Sequence, residues 1–282
     1  MKIKLIIPIL NPEPSFFSDI IPRLHSQTLS PDILLINSGS PIAGGEYEVI
    51  TIDKKKFNHA NTRNFALSYE ADYYLFMTQD AMPYDDTMIE NLLKAFQNRD
   101  VVVSYARQIP YPDANPIERF ARETNYPSQS YIKSLKDLPE LGIKTFFSSD
   151  SCAMYHEKYF RAVGGFTPHL NTNEDMEFAA RAIMNEKKIA YCSDAKVFHS
   201  HTLSLVEIWK RYREIGMFFA HHKWILDIVS QHSKAESTGI KQAILELYFL
   251  MRTAPGWLLH SAIISTLKFI AFKYAISKHQ SD

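Results

Sequence analysis

Four groups of side chains have the types and spacing that chemistry needs. Asp80 follows a strongly apolar run in FMTQDAMP, and open α/β sheets place their ligand sites at the carboxyl ends of such strands. A carboxylate there suits a divalent cation that bridges two phosphates and stabilises a departing diphosphate. It equally suits an Asx-turn. Glu174 and Asp175 open a helical pattern, where the macrodipole favours acids for purely structural reasons. One of them aimed into a cleft, within reach of an acceptor hydroxyl, would serve as a general base. His199 and His201 flank Ser200 just after a strand-like run, and alternation places both imidazoles on one side. Such a pair fits a transition ion such as Mn²⁺ or Zn²⁺, although ordinary hydrogen bonds satisfy His pairs as well. Arg63 in NTRN, and Lys210, Arg211 and Arg213 further on, offer cations to phosphate. Each is equally at home on a solvated helix face. No GxSxG elbow occurs, and Cys152 and Cys192 sit in apolar, strand-like settings without an activating neighbour.

The elements that must carry these groups alternate from the start. Ile3 to Ile7, Ile33 to Ile36, Val49 to Ile52, Tyr73 to Met77 and Val101 to Tyr105 read as short buried strands. Helical patterns fall between them at about residues 14–27, 61–70 and 86–97. This alternation marks an α/β domain around a mostly parallel sheet flanked by helices. Residues 107–145 form an insertion rich in Pro, Tyr, Asn and Arg with one helix near 116–123; long irregular insertions are commonly functional. After it come the segment 146–155, the turn Gly164-Gly165, a helix from about 174 to 185, and a strand pair near 189–191 and 195–198.

Composition removes several functions. The 282 residues balance 31 Lys+Arg against 31 Asp+Glu, which argues against nucleic-acid binding as the main task. The 9 glycines nowhere make GxGxxG or GxxxxGK[ST], so a bound nucleotide needs side chains or a metal to neutralise its phosphates. Two cysteines fit a reducing compartment and are expected as free, buried thiols. The apolar start MKIKLIIPIL is short and holds Pro8, so it reads as a first strand and not as a signal peptide. Charge is unevenly placed: from Lys196 onward there are 11 Lys+Arg against 6 Asp+Glu, leaving 20 against 25 before it. Within that basic third, 257–276 is mostly apolar but holds Lys268 and Lys273. It is a poor transmembrane span and suits a membrane interface or a helix packed on its own domain or a dimer partner.

Read as an ordered set, LIIPILNP, ILLINSGS, FNHANTRN, FMTQDAMP, GIKTFFSSDSCAMY, GGF, NEDMEFAARAI and AKVFHSHTLSLVEIWKRYREIG resemble the inverting family-2 glycosyltransferases. Within them the likeness is greatest to bacterial rhamnosyltransferases of O-antigen, lipopolysaccharide and related surface-polysaccharide biosynthesis. The resemblance implies the GT-A fold, Rossmann-like, over residues 1–216, with 217–282 as a basic, apolar helical tail for a membrane surface or dimer contact. It implies Asp175 as the base, with Glu174 beside it in the catalytic pair. Asp80 matches the last Asp of the metal motif, His201 the His that completes the metal sphere, with His199 alongside. The implied cofactor is Mg²⁺ or Mn²⁺. Donor contacts are expected at Pro8, Asn11, Asn37, Ser38, Arg63, Gln79, Asp80 and Arg211. Acceptor contacts are expected at Tyr111, Arg122, Tyr126 and Ser149. The implied donor is dTDP-L-rhamnose, the acceptor a hydroxyl of a lipid-linked saccharide, and the place the cytoplasmic face of the bacterial cell membrane.

The sequence departs from the family pattern in three places, one of them Pro41-Ile42 where the family has Thr-Asp. The metal motif is Thr78-Gln79-Asp80, with one acid, and the nucleotide loop is Asn37-Ser38-Gly39-Ser40, without a carboxylate. A transferase of another nucleotide sugar, or a degenerate subunit of a polysaccharide assembly complex, therefore stays open. A sugar-1-phosphate nucleotidyltransferase needs an N-terminal Gly-rich basic loop, which LIIPILNPEPSF lacks.

Overall fold

The computed structural model describes residues 1–42, 44–233 and 238–279. The chain forms two compact units. The first comprises Met1–Gln108, Pro127–Leu135 and Phe146–His199; the second comprises Ile109–Tyr126, Lys136–Thr145 and Ser200–Asp282.

The first unit is built on nine strands: β1 (Ile3–Ile9), β2 (Asp32–Asn37), β3 (Glu48–Thr51), β4 (Tyr73–Met77), β5 (Met82–Pro83), β6 (Val101–Ile109), β7 (Tyr131–Lys133), β8 (Cys152–His156) and β9 (Lys188–Phe198). They order as β3-β2-β1-β4-β8-β6-β9-β5, with β7 on β9. The β3-β2-β1-β4 half is parallel, as the strand–helix alternation requires, because parallel neighbours need crossovers. Beyond β4 the pairings of β8 with β4 and β6, and of β9 with β5 and β7, are antiparallel. The sheet is thus mixed, and its second half departs from the parallel expectation. The expected strand pair at 189–191 and 195–198 is a single strand, because Ser193 and Asp194 continue the ladder and leave no turn. Leu5, Ile7, Leu35, Leu75 and Met77 belong to a fully buried apolar cluster on one side of the sheet. The two thiols are free and buried, as expected.

The second unit joins two stretches of the insertion, Ile109–Tyr126 and Lys136–Thr145, to the tail, while Pro127–Leu135 stays with the first unit. Ile117 of the insertion helix clusters with Ile208, Leu250 and Ile264 of three tail helices. The boundary expected at 216 therefore falls at 199/200. Its physical reason is the Leu205–His221 helix, which packs along the Leu258–His279 helix of the same unit. Gly216 permits that contact: a Cβ there would meet Phe272 O at 2.6 Å and Ala275 Cβ at 2.8 Å. His221 and His222 each sit with Nδ1 2.9 Å from the carbonyl four residues back, an ordinary helix-end arrangement.

Candidate active site

Two clusters in the first unit hold most of the expected chemistry. The first surrounds Asp175, at the head of the Glu174–Met184 helix. Asn173 enters that helix at φ 60°, a left-handed conformation that Asn tolerates better than most residues. Asn64 clamps the loop before it, donating to Phe166 O at 2.8 Å and accepting from Phe166 N–H at 2.9 Å. Asn61 Oδ1 accepts from His169 N–H, and Ala60 N–H donates to Leu170 O. These bonds hold the short His59–Arg63 helix against the loop and set Arg63 beneath Glu174.

Arg63 is 2% exposed. Its Nη1 donates to Glu174 Oε1 at 2.7 Å, and its Nε lies 3.3 Å from Asp150 Oδ2. A guanidinium so enclosed between two carboxylates has its charge already matched, so the expected donor contact gives way to a structural one. Asp150 Oδ1 accepts from the Tyr155 hydroxyl at 2.6 Å. The Tyr155 ring is locked among Phe76, Phe160, Phe166 and Phe178 at centroid spacings of 5.1–5.5 Å. Asp175 itself is half-buried. Its Oδ2 accepts from Asp150 N–H at 3.2 Å and its Oδ1 from Met176 N–H at 2.7 Å. Burial, and then the charge of Glu174, push the Asp175 carboxyl up to about 6, against those two N–H donors and Arg63. Burial also lifts Asp150 well above the usual carboxylate range, with Arg63 pulling the other way. A carboxylate poised near neutral pH has the driving force a general base needs.

The second cluster surrounds Asp80. Antiparallel pairing of β5 with β9 sets Met82 opposite Phe198 and Pro83 opposite Val197. Continuing that register past the strand ends brings the Asp80 turn to His199, and His199 Nε2 lies 3.6 Å from Asp80 Oδ1. His199 is buried, and its Nδ1 lies 2.8 Å from Gln108 Oε1. The Gln108 amide in turn donates to Ser149 Oγ at 2.8 Å. An amide oxygen accepts only, so Gln108 fixes the proton on Nδ1 and leaves the Nε2 lone pair facing Asp80. Carboxylate oxygen and imidazole nitrogen side by side make a possible metal site. His201, two residues on, belongs to the second unit, where its N–H points to Glu118 Oε1.

The remaining expected residues divide. Asn37 Oδ1 accepts from Gly39 N–H and its amide donates to Ser40 O; Asn11 Oδ1 accepts from Ser40 N–H. Ser38 Oγ donates to Ile9 O, and Gln79 Oε1 accepts from Leu10 N–H. These side chains tie together the loops after β1, β2 and β4, the loop after β1 beginning two residues beyond Pro8. Gly39 belongs to this knot, since a Cβ there would sit 2.4 Å from Asn11 Oδ1. Of the acceptor set, Ser149 lies in the first unit, whereas Tyr111, Arg122 and Tyr126 lie in the second. Arg122 pairs with Glu118 at 2.6 Å and lies over the Tyr126 ring. Arg211 is exposed on the Leu205–His221 helix. Asp150, Tyr155 and Gln108 were not singled out by sequence; each lies in a strand or its approach, without a motif of its own.

Residues 5–164 match the family model described as Glycosyl transferase family 2. The chain belongs to that family. It is 37% identical to the O-antigen chain rhamnosyltransferase RfbN of Salmonella typhimurium, over 99% of this chain and 90% of that protein. It is 35% identical to the O-antigen chain rhamnosyltransferase WbaN of Salmonella anatum, over 98% and 89%. Among solved structures it resembles the mannosyltransferase PcManGT from Pyrobaculum calidifontis in complex with GDP-Man and Mn²⁺, with TM-score 0.64 and 13% identity over 98% of this chain and 86% of that one. The S. aureus TarS 1-349 structure gives TM-score 0.54 and 14% identity over 100% and 92%. At those identities the likeness concerns fold, and the fold is GT-A. This family-2 protein is therefore a glycosyltransferase, which removes the nucleotidyltransferase reading.

Proposed function

We propose that this family-2 glycosyltransferase moves L-rhamnose from dTDP-L-rhamnose to a hydroxyl of a lipid-linked saccharide, with inversion, in O-antigen synthesis. The observation that carries the reaction is Asp175, a half-buried carboxylate pushed up to about 6. The near-full-length likeness to two rhamnosyltransferases supports the sugar.

In this reading Asp175 takes the proton of the acceptor hydroxyl as that oxygen attacks the anomeric carbon, and the carbon–oxygen bond to the diphosphate breaks. Glu174 stays paired with Arg63 and keeps the base oriented. Asp80 and His199 would hold a divalent cation. Oxygen and imidazole donors together suit Mn²⁺ better than Mg²⁺. A cation bound there would supply positive charge for the departing diphosphate. Asn37, Ser38, Asn11 and Gln79 shape the donor loops through their bonds to one another, and Tyr111, Arg122 and Tyr126 are assigned to the acceptor side. The second unit's tail rests on the inner face of the cell membrane, where a lipid-linked acceptor is held.

The test is transfer from dTDP-L-rhamnose to a short prenyl-linked saccharide, with wild type and Asp175→Asn. The variant should lose at least about a thousandfold in kcat while binding donor normally, since only proton transfer is removed. Transfer surviving in the variant would sink the base assignment. Turnover with another nucleotide sugar alone would sink the donor assignment.

A further inference from the structure

Asp150 has no part in the reading above, yet it is the most deeply enclosed acid near the base. It is 3% exposed and precedes β8 by two residues. Three separate contacts tie it to its surroundings: Tyr155 donates to Oδ1, Arg63 Nε lies 3.3 Å from Oδ2, and its N–H donates to Asp175 Oδ2. The Arg63 contact is one of charge, because neither Nε nor Oδ2 has a hydrogen-bond partner among the described residues. An isolated buried carboxylate is costly, so these contacts are what allow Asp150 to be enclosed.

We propose that Asp150 is a positioning residue for Asp175: its main-chain N–H fixes one oxygen of the base, and its carboxylate sets the field in which the base takes up a proton. The groups facing this pair come from every element around it. Arg63, with His59 behind it at 3.0 Å, comes from the His59–Arg63 helix; Tyr155 from β8; Glu174 from the base's own helix. One guanidinium thus serves three carboxylates. Whatever share of Arg63 is drawn to Asp150 is withheld from Glu174 and Asp175, so Asp150 works on the base through the cation they share. A purely structural Asp150 would hold the loop but leave the base's proton affinity where it was.

The inference rests on Asp175 as base for its kinetic meaning, but not for its measurement. Carbon-13 NMR titration of Asp side-chain carboxyls reads Asp175 directly, its signal assigned by its loss in Asp175→Asn. In Asp150→Asn, which keeps the main-chain N–H and leaves Arg63 to Glu174 and Asp175, the Asp175 midpoint should fall by about one unit. Tyr155→Phe keeps the packed ring and removes the donor that favours ionised Asp150. It should lower the midpoint in the same direction by less, and it carries the test where Asp150→Asn fails to fold. The acid limb of kcat/KM should move with the NMR midpoint. An unmoved midpoint in the folded variants overturns the proposal. A moved midpoint with full transfer in Asp175→Asn overturns the base assignment instead and leaves the positioning intact.

Discussion

Gln108 decides which nitrogen of His199 faces Asp80, because its amide oxygen accepts from Nδ1–H and its amide nitrogen donates to Ser149 Oγ. Groups that orient a metal-binding imidazole are commonly worth about 10–100-fold in affinity. Gln108→Leu should therefore weaken Mn²⁺ binding by about that factor, read as free Mn²⁺ by electron paramagnetic resonance. Undiminished binding would mean His199 is no ligand. Asp175 offers a second test, through stability. Its carboxyl is pushed from 3.8 to about 6 in the folded chain, so the fold binds this proton more tightly than the unfolded chain does. That contribution is fully present below 3.8 and lost as pH rises through about 6. The Tm of Asp175→Asn relative to wild type should accordingly be more favourable at pH 8 than at pH 4.5; equal differences at both pH values would refute the raised value. Asp80, Asp175 and His199 could be singled out as candidates because strand ends and helix starts announce themselves locally. Gln108 could not, since its meaning comes from a partner 91 positions away.

At the scale of elements, legibility followed the same division between local and distant causes. The strand Tyr73–Met77 was read to the residue, and the Glu174–Met184 helix to within one. The helix expected over 61–70 is instead a short α segment, His59–Arg63, followed by a 3₁₀ turn, Asn64–Ser68. There Asn64 spends its side chain on Phe166, a contact that local pattern does not contain. The assignment of the Leu205–His221 helix to the tail was equally hidden. Its periodicity signals a buried face, but only the close passage at Gly216 says which partner covers it. Gly216→Val places two methyl groups where Phe272 O and Ala275 already stand, and such overpacking typically costs about 1–3 kcal/mol. Urea unfolding of the full chain should show that loss, whereas valine at Gly239, where an added Cβ meets nothing within 4 Å, should cost less. Equal losses would mean that the helix crossing is looser than described.

At the scale of the whole molecule, the balanced charge conceals a division that bears on where the enzyme works. The Leu258–His279 helix buries Ser261, Ile264, Ala271 and Ala275 within the second unit. On the opposite side Leu259, Ile263, Ile270 and Tyr274 stand exposed at intervals of four, seven and four, which is one helical face. Pro255–Lys278 is long and apolar enough to cross a bilayer by length and composition. Its packing on the Leu205–His221 helix and its lysines favour lying at the interface instead. Across 238–279 the described side chains include Lys241, Arg252, Lys268, Lys273 and Lys278 against one acid, Glu246, which is buried on Ser261. Basic residues near an anionic bilayer surface contribute roughly 1 kcal/mol each. The full chain should float with phosphatidylglycerol vesicles and much less with phosphatidylcholine ones, and salt should release part of it. Replacing Ile263 and Ile270 by Ser should cost the apolar share in both, whereas Lys273→Gln with Lys278→Gln should weaken anionic binding alone. Resistance to alkaline carbonate would instead indicate a spanning helix. A dimer in sedimentation that persists in wild type and dissociates in the Ser variant, with flotation unchanged, would assign the face to a second copy of the chain.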